Sequence, residues 1–275
     1  MTDRIVLTAL YVPADRPDRV SKALTAGADE VIVDLEDAVA PARKRDARAA
    51  LVDALSAASS VQVRINARGS AWHDDDLAAI RELPATVAVR VPKIASADDV
   101  AAAREVVPGR RIHALIESAI GVERAFDIAS AGVATLALGE ADLRSQLGLP
   151  SGDDAGLQWI RSRVVNAAAA AGLPAPMMSA YTDVRDADGL AASCAAGRAM
   201  GFLGRTAIHP AQLPVIERAF RPSDAEVDRA REIVERVGSA ADDGSGTVVL
   251  GDGTFLDVAM VEAARRVLAI ATRFA

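Results

Sequence analysis

Eight short apolar runs, separated by longer alanine-rich stretches, constrain this chain's fold more than any other feature. The runs cover 7–13, 30–36, 61–66, 87–94, 112–118 and 135–139, with two weaker ones at 176–181 and 202–208. Most are apolar at consecutive positions rather than alternating, the pattern of strands buried on both faces. The stretches at 15–27, 40–58, 74–83, 96–107 and 121–131 read as helices. Strands alternating with helices make a parallel sheet, and eight repeats close it more readily than they leave it open. The expected fold is therefore α/β, a (β/α)₈ TIM barrel. The length of 275 residues suits such a barrel, which takes about 250. An open doubly wound sheet is the alternative, but no G-x-G-x-x-G follows the first run.

The pattern changes after the eighth run. Pro222, Ser223 and Asp224 form a helix start, and the helix is expected to reach about Val237. Residues 238–246, rich in Gly, Ser, Ala and Asp, read as a flexible loop. A small hairpin follows, with strands at 247–250 and 254–256 around an Asp-Gly turn at Gly251, Asp252 and Gly253. A last amphipathic helix starts at Asp257. The expected organisation is a catalytic barrel over 1–221 and a C-terminal helix–hairpin–helix extension over 222–275 that packs on the barrel and on a neighbouring subunit.

The formal charge of −7 argues against wholesale nucleic-acid binding, though not against a local basic pocket. One cysteine, Cys194, excludes an intrachain disulfide and a thiolate metal cluster and reads as a buried small residue. No apolar stretch reaches the roughly 18–20 residues needed to cross a bilayer, and no signal peptide is evident. The expected location is cytoplasmic.

A parallel barrel carries its chemistry at the C-terminal ends of its strands. Asp34, Glu36 and Asp37 close the second run, Arg64 and Asn66 the third, Arg90 and Lys93 the fourth, and Glu117 the fifth. Glu140 and Asp142 follow the sixth, and His209 follows the eighth. Carboxylates gathered at one mouth repel unless a cation neutralises them. Glu117 and Asp142 are therefore candidate ligands of Mg²⁺, which proteins hold through few carboxylates plus water and substrate oxygens. Equally, both precede helices and can cap them. Arg64 in an apolar strand must be paired. Its fork suits a carboxylate or enolate oxygen, and a salt bridge to Glu36 or Asp37 is compatible with that. His209 before Pro210 reads as a structural loop histidine.

Several segments together carry a resemblance. They are Tyr11-Val12-Pro13-Ala14-Asp15-Arg16-Pro17, Val33-Asp34-Leu35-Glu36-Asp37-Ala38, Val63-Arg64-Ile65-Asn66 and Val91-Pro92-Lys93. Leu115-Ile116-Glu117-Ser118, Gly139-Glu140-Ala141-Asp142-Leu143 and Ala207-Ile208-His209-Pro210 follow in order. The chain resembles the citrate lyase β-subunit-like branch of the HpcH/HpaI aldolase superfamily. The resemblance implies a barrel binding Mg²⁺ through Glu117 and Asp142, with Arg64 and Glu117 contacting the acyl substrate and Glu36 and Asp37 holding Arg64 and metal-bound water. It implies cleavage or formation of a CoA thioester of citryl-CoA, malyl-CoA or citramalyl-CoA type, with a 2-oxo acid as the other partner.

It also implies a homotrimer or hexamer in which Asp257 of the tail completes a neighbour's site and moves a proton at the enolate carbon. Arg16, Arg19, Lys22 and Lys93 are candidate contacts for the substrate and its CoA arm. A solvated helix face explains the first three as well. Other readings are the β subunit of a multi-subunit citrate lyase with an acyl-carrier partner, a pyruvate-type class II aldolase, and a non-catalytic barrel. One departure is plain: the branch usually reads Gly-Ala-Glu-Asp-Leu where this chain has its acid one place earlier, at Glu140.

Overall fold

The computed structural model describes residues 5–150, 152–242, 248–249, 255–256 and 258–274. They fall into two compact units, Val6–Ala219 and the C-terminal part from Phe220 together with Ile5.

In the larger unit the strands are β1 (Thr8–Pro13), β2 (Glu30–Asp34), β3 (Val61–Arg64), β4 (Ala88–Val91), β5 (Ile112–Ile116), β6 (Thr135–Leu138) and β7 (Arg205–Ala207). All pair in parallel in one sheet of order β6-β5-β4-β3-β2-β1-β7. The sheet closes through the segment 177–178, where Met177 bridges Ala137 and Met178 bridges Arg205, both in parallel. The weak run at 176–181 is thus the seventh barrel position, reduced to a two-residue bridge. Proline at 174 and 176 withholds backbone donors on its N-terminal side, which limits the ladder there.

The helices of this unit are α1 (Pro17–Leu24), α2 (Lys44–Leu55), α3 (His73–Glu82), α4 (Ala97–Val106), α5 (Ala119–Glu123), α6 (Ala125–Ser130), α7 (Glu140–Leu147), α8 (Gln158–Ala170), α9 (Ala187–Ala199) and α10 (Leu213–Phe220). The helix expected at 121–131 is two short ones, because Arg124 leaves helical geometry at φ −94°, ψ 14°. Ser96 caps α4 by accepting from Asp99 N, and Ser118 caps α5 by accepting from Gly121 N. The core is aliphatic, with Ile32, Val63, Val89, Ala114 and Ile116 wholly buried, as strands covered on both faces require.

In the smaller unit α11 (Asp224–Asp242) and α12 (Val258–Thr272) flank a hairpin of β8 (Val248–Val249) and β9 (Phe255–Leu256). Ser223 and Glu226 form the expected start, Ser223 Oγ accepting from Glu226 N and Glu226 Oε2 accepting from Ser223 N. Ala230, Ile233, Val261 and Ala264 make this unit's core. The first helix runs to Asp242, past the start of the loop expected at 238–246. One glycine costs a helix only about 1 kcal/mol, and Ala240 and Ala241 favour its continuation. The Asp-Gly turn and Asp257 lie outside the described residues.

Candidate functional site

A cleft of about 730 Å³ opens at the C-terminal ends of the strands, lined among others by Tyr11, Asp34, Arg64, Arg90, Glu117 and Asp142. Strand register explains their convergence. Asp34, Arg64 and Arg90 are paired positions on β2, β3 and β4, so their side chains leave the same face of adjacent strands.

Arg64 is the most heavily matched residue of this rim. Asp34 grips it in a fork, accepting from Nε at 2.8 Å and from Nη2 at 2.6 Å. Nη1 donates to Asp37 at 3.1 Å and stands 3.0 Å from Glu36 Oε2. The expected partners Glu36 and Asp37 are both present, but the principal one is Asp34, which sequence reasoning passed over. Alternation along β2 sets Asp34 and Glu36 on one face, and only the register that pairs Asp34 with Arg64 singles Asp34 out. Burial opposes the charge of the Arg64 guanidinium, yet Asp34 above all, then Tyr11 and Glu36, hold it above its ordinary value.

The acids opposite are not matched in this way. Glu36 is buried, and neither of its carboxylate oxygens has a hydrogen-bond partner among the described residues. Its carboxyl is pushed up to about 7, first by burial, with Asp37 and Asp34 adding to the rise and Arg64 and Lys93 opposing it. Glu117 is buried as well. Its Oε2 accepts from the Lys93 backbone N at 3.0 Å, and its carboxyl too is pushed up to about 7, by burial first and then by Glu36 and Asp142. Gly139 makes room for it: a Cβ there would stand 2.3 Å from Glu117 Oε1.

Lys93 bridges these acids from a backbone turned into the left-handed region at φ +54°. Its Nζ lies 3.4 Å from Glu36 Oε1 and 3.9 Å from Asp142 Oδ2. Burial opposes its charge, yet Glu36, Asp142 and Glu117 together hold it above the ordinary lysine range. A left-handed non-glycine residue is uncommon and strained. Here it turns the Lys93 N–H onto Glu117.

Glu140, the displaced acid of the sixth loop, takes a structural post. It accepts from Arg161 Nε and Nη2 at 2.7 Å each, while Arg161 Nη1 donates to Asp154 at 2.8 Å. Arg16 is exposed at the start of α1, 4.0 Å from Asp15, and Arg19 and Lys22 are exposed on the same helix. His209 is the loop residue expected, its Nδ1 accepting from Ala211 N in a capping box with Gln212. Cys194 is buried.

The family model described as HpcH/HpaI aldolase/citrate lyase matches residues 7–210. A (3S)-malyl-CoA thioesterase of Cereibacter sphaeroides is 35% identical over 274 residues, covering 98% of this chain and 95% of that one. Among solved structures, the protein CitE of Mycobacterium tuberculosis in complex with magnesium, acetoacetate and coenzyme A superposes with a TM-score of 0.82 at 35% identity, covering 98% of each chain. The citrate lyase β subunit complexed with oxaloacetate and magnesium from the same organism gives 0.70 at 37% identity, covering 79% of this chain and 98% of that one.

Proposed function

The chain belongs to the HpcH/HpaI aldolase/citrate lyase family, and from that premise we propose that its cleft makes or breaks a carbon–carbon bond in a small hydroxyacyl-CoA thioester. Citryl-CoA, malyl-CoA and citramalyl-CoA are the substrate types, and a 2-oxo acid is the second partner. The observation that carries this reading is the imbalance of the rim. Arg64 is fully matched, while beside it Glu36 and Glu117 are buried and mutually repelling, Glu36 held only by ion pairs to Arg64 and Lys93 and Glu117 by the Lys93 backbone N–H.

Such a set of hard oxygens calls for a cation. Among the described residues no group of three or more His, Cys, Asp or Glu is arranged to hold a metal. Glu117 and Asp142 offer two carboxylates, and an ion content with two, plus oxygens from water and substrate, is the habit of Mg²⁺. Glu117, seated in the space left by Gly139, and Asp142 would hold it. When bound it supplies Lewis-acid polarisation of the substrate's hydroxyl and carboxylate oxygens.

The chain's own residues do the rest. Arg64 faces the oxygen on which negative charge develops, and preorganised charge of this kind often carries the largest share of catalysis. Asp34 holds its plane fixed through the fork. Asp37, exposed on the outer side of Nη1, is the contact a substrate oxygen can replace, while Glu36 keeps the inner side. Lys93 separates the acids and offers a cation to the substrate carboxylate, and Arg16 meets the CoA arm. Asp257 acts from a neighbouring subunit of a homotrimer or hexamer, giving a proton to the enolate carbon in cleavage and removing it in condensation. Among the described residues no helix is long and apolar enough to cross a membrane. A cytoplasmic location is part of the same proposal.

A second reading, hydrolysis of the thioester itself, is favoured by the name of the Cereibacter relative. One experiment separates the two. The purified protein is incubated with Mg²⁺ and each hydroxyacyl-CoA, and the products are resolved by chromatography. Carbon–carbon cleavage yields a shorter acyl-CoA and a 2-oxo acid in equal amounts, both abolished by a chelator. Free CoA with intact hydroxy acid would establish hydrolysis instead.

A further inference from the structure

Arg90 is a second guanidinium in the cleft wall, and unlike Arg64 it has no carboxylate against it among the described residues. It lies on β4, in register with Arg64 on one side and His113 on the other, and is only 2% exposed. Its Nε donates to Gln62 Oε1 at 2.8 Å, and Nη1 reaches the Tyr11 hydroxyl only at 3.5 Å. Both acceptors are neutral. The nearest acid in this chain of contacts, Glu30, is one side chain removed, accepting from Gln62 Nε2. His113 brings no negative charge either, being buried with its Nδ1 against Thr135 Oγ1.

Of the other buried arginines of the cleft wall, Arg205 shares this isolation, meeting Ser193 Oγ and Cys194 Sγ, whereas the remaining two are paired with acids. Arg64 meets Asp34, Glu36 and Asp37, and Arg161 meets Glu140 and Asp154. A guanidinium stays charged at any physiological pH, and a buried charge without a counter-ion is costly. A contact of 3.5 Å is at the limit of useful geometry. The missing charge is thus an anion that arrives from the cleft, and the planar fork of arginine fits a carboxylate. The Tyr11 ring lies against both guanidiniums, 5.3 Å from Arg64 and 5.9 Å from Arg90. A ligand reacting at Arg64 can therefore extend an anionic end to Arg90.

We propose that Arg90, with the Tyr11 hydroxyl beside it, forms a carboxylate subsite that selects substrates whose 2-oxo-acid half bears a second carboxylate. The preferred oxo acid is then dicarboxylic, and one ending in a methyl group or a hydrogen leaves Arg90 unmatched. This specificity rests on the reading of the cleft as the place where the 2-oxo acid is formed or consumed.

The test is binding rather than turnover. Oxaloacetate and pyruvate are titrated calorimetrically into the full-length protein with Mg²⁺, in wild type, Arg90→Met and Arg90→Lys. Wild type is expected to prefer oxaloacetate roughly 10²-fold, the scale of a charged hydrogen-bonded pair. Arg90→Met should erase that preference, and Arg90→Lys, which keeps the charge and loses the fork, should retain part of it. Thermal unfolding of each protein identifies a variant that has failed to fold, in which case the wild-type and lysine titrations decide. Equal affinity of the wild type for the two acids, or a preference that survives Arg90→Met in a folded protein, overturns the subsite. The two readings fail separately. Discrimination through Arg90 without any cleavage of hydroxyacyl-CoA would sustain the subsite and overturn the lyase. Cleavage without discrimination would do the reverse.

Discussion

Removing the charge of Glu117 should flatten the pH dependence of stability of the metal-free protein. Glu117 is 7% exposed, and its carboxyl moves from an ordinary 4.5 to about 7 on folding, by burial first and then by Glu36 and Asp142. The folded protein therefore binds this proton more tightly than the unfolded chain. That stabilisation is fully present below 4.5 and is lost as the pH rises through 7. Between pH 5 and pH 8 the loss from this one carboxyl is about 2.5 kcal/mol, at about 1.36 kcal/mol per pKa unit.

Glu36 has the same sign, and the two acids titrate as a pair. His113 has the opposite sign: burial, then Arg90 and Arg111, hold it well below its ordinary value, so it favours folding as the pH rises through 6.5. The wild-type slope mixes these contributions, and the informative quantity is the difference between wild type and Glu117→Gln. Urea unfolding with a chelator at pH 5 and pH 8, extrapolated linearly to water, should show that difference changing by about 2–3 kcal/mol. Adding Mg²⁺ at pH 8 should restore the wild type by mass action and leave Glu117→Gln nearly unmoved. Parallel pH profiles for the two proteins would refute the reasoning, since Glu117 would then titrate alike in both states.

Arg64→Lys keeps a charge beside Asp34 but loses the fork, so kcat should fall roughly 10²–10³-fold; steady-state kinetics near wild type would reduce Arg64 to a structural ion pair. Gly139→Ala puts a methyl 2.3 Å from Glu117 Oε1, which should displace the carboxylate and weaken Mg²⁺ binding roughly 10–100-fold, read by calorimetry; unchanged affinity would remove Glu117 from the ion. Asp257→Asn and Arg64→Ala proteins, each inactive alone, should recover part of their activity once unfolded together and reassembled. Mixed oligomers that stay inactive, or an active monomer, would show that Asp257 does not act on a neighbouring chain.

Much of the scaffold was legible because strand burial leaves a periodic trace. The runs at 7–13, 30–36, 61–66, 87–94, 112–118 and 135–139 all became strands, each shorter at one end or both than its apolar stretch. Apolarity continues past the last ladder bond into the loop that packs beneath the rim, and only pairing marks where a strand stops. The seventh position was faint for the same reason: two bridging residues, just after the prolines on either side of Ala175, are too few for a pattern.

The site divides along a similar line. Arg64, Glu117 and Asp142 were visible as charges at the ends of apolar strands, since burial of such groups demands a reason that local composition does not supply. Their partners were visible only in part, since Glu36 and Asp37 were expected against Arg64 and are there, while the principal ones were not. Asp34 lies 30 positions from Arg64, and Glu140 lies 21 from Arg161. Which acid meets which arginine depends on strand register and helix placement, and these arise only when the barrel closes. Arg90 shows the difference most sharply. In the sequence it is one basic residue among several, whereas in the folded barrel it is a buried cation beside Gln62 and Tyr11 with no carboxylate against it among the described residues. Sequence determined the kinds of group at the rim, and tertiary structure alone decided which charges are neutralised and which are left for a ligand, because electrostatic matching in a low-dielectric interior is settled by distances of a few ångströms between residues far apart in the chain.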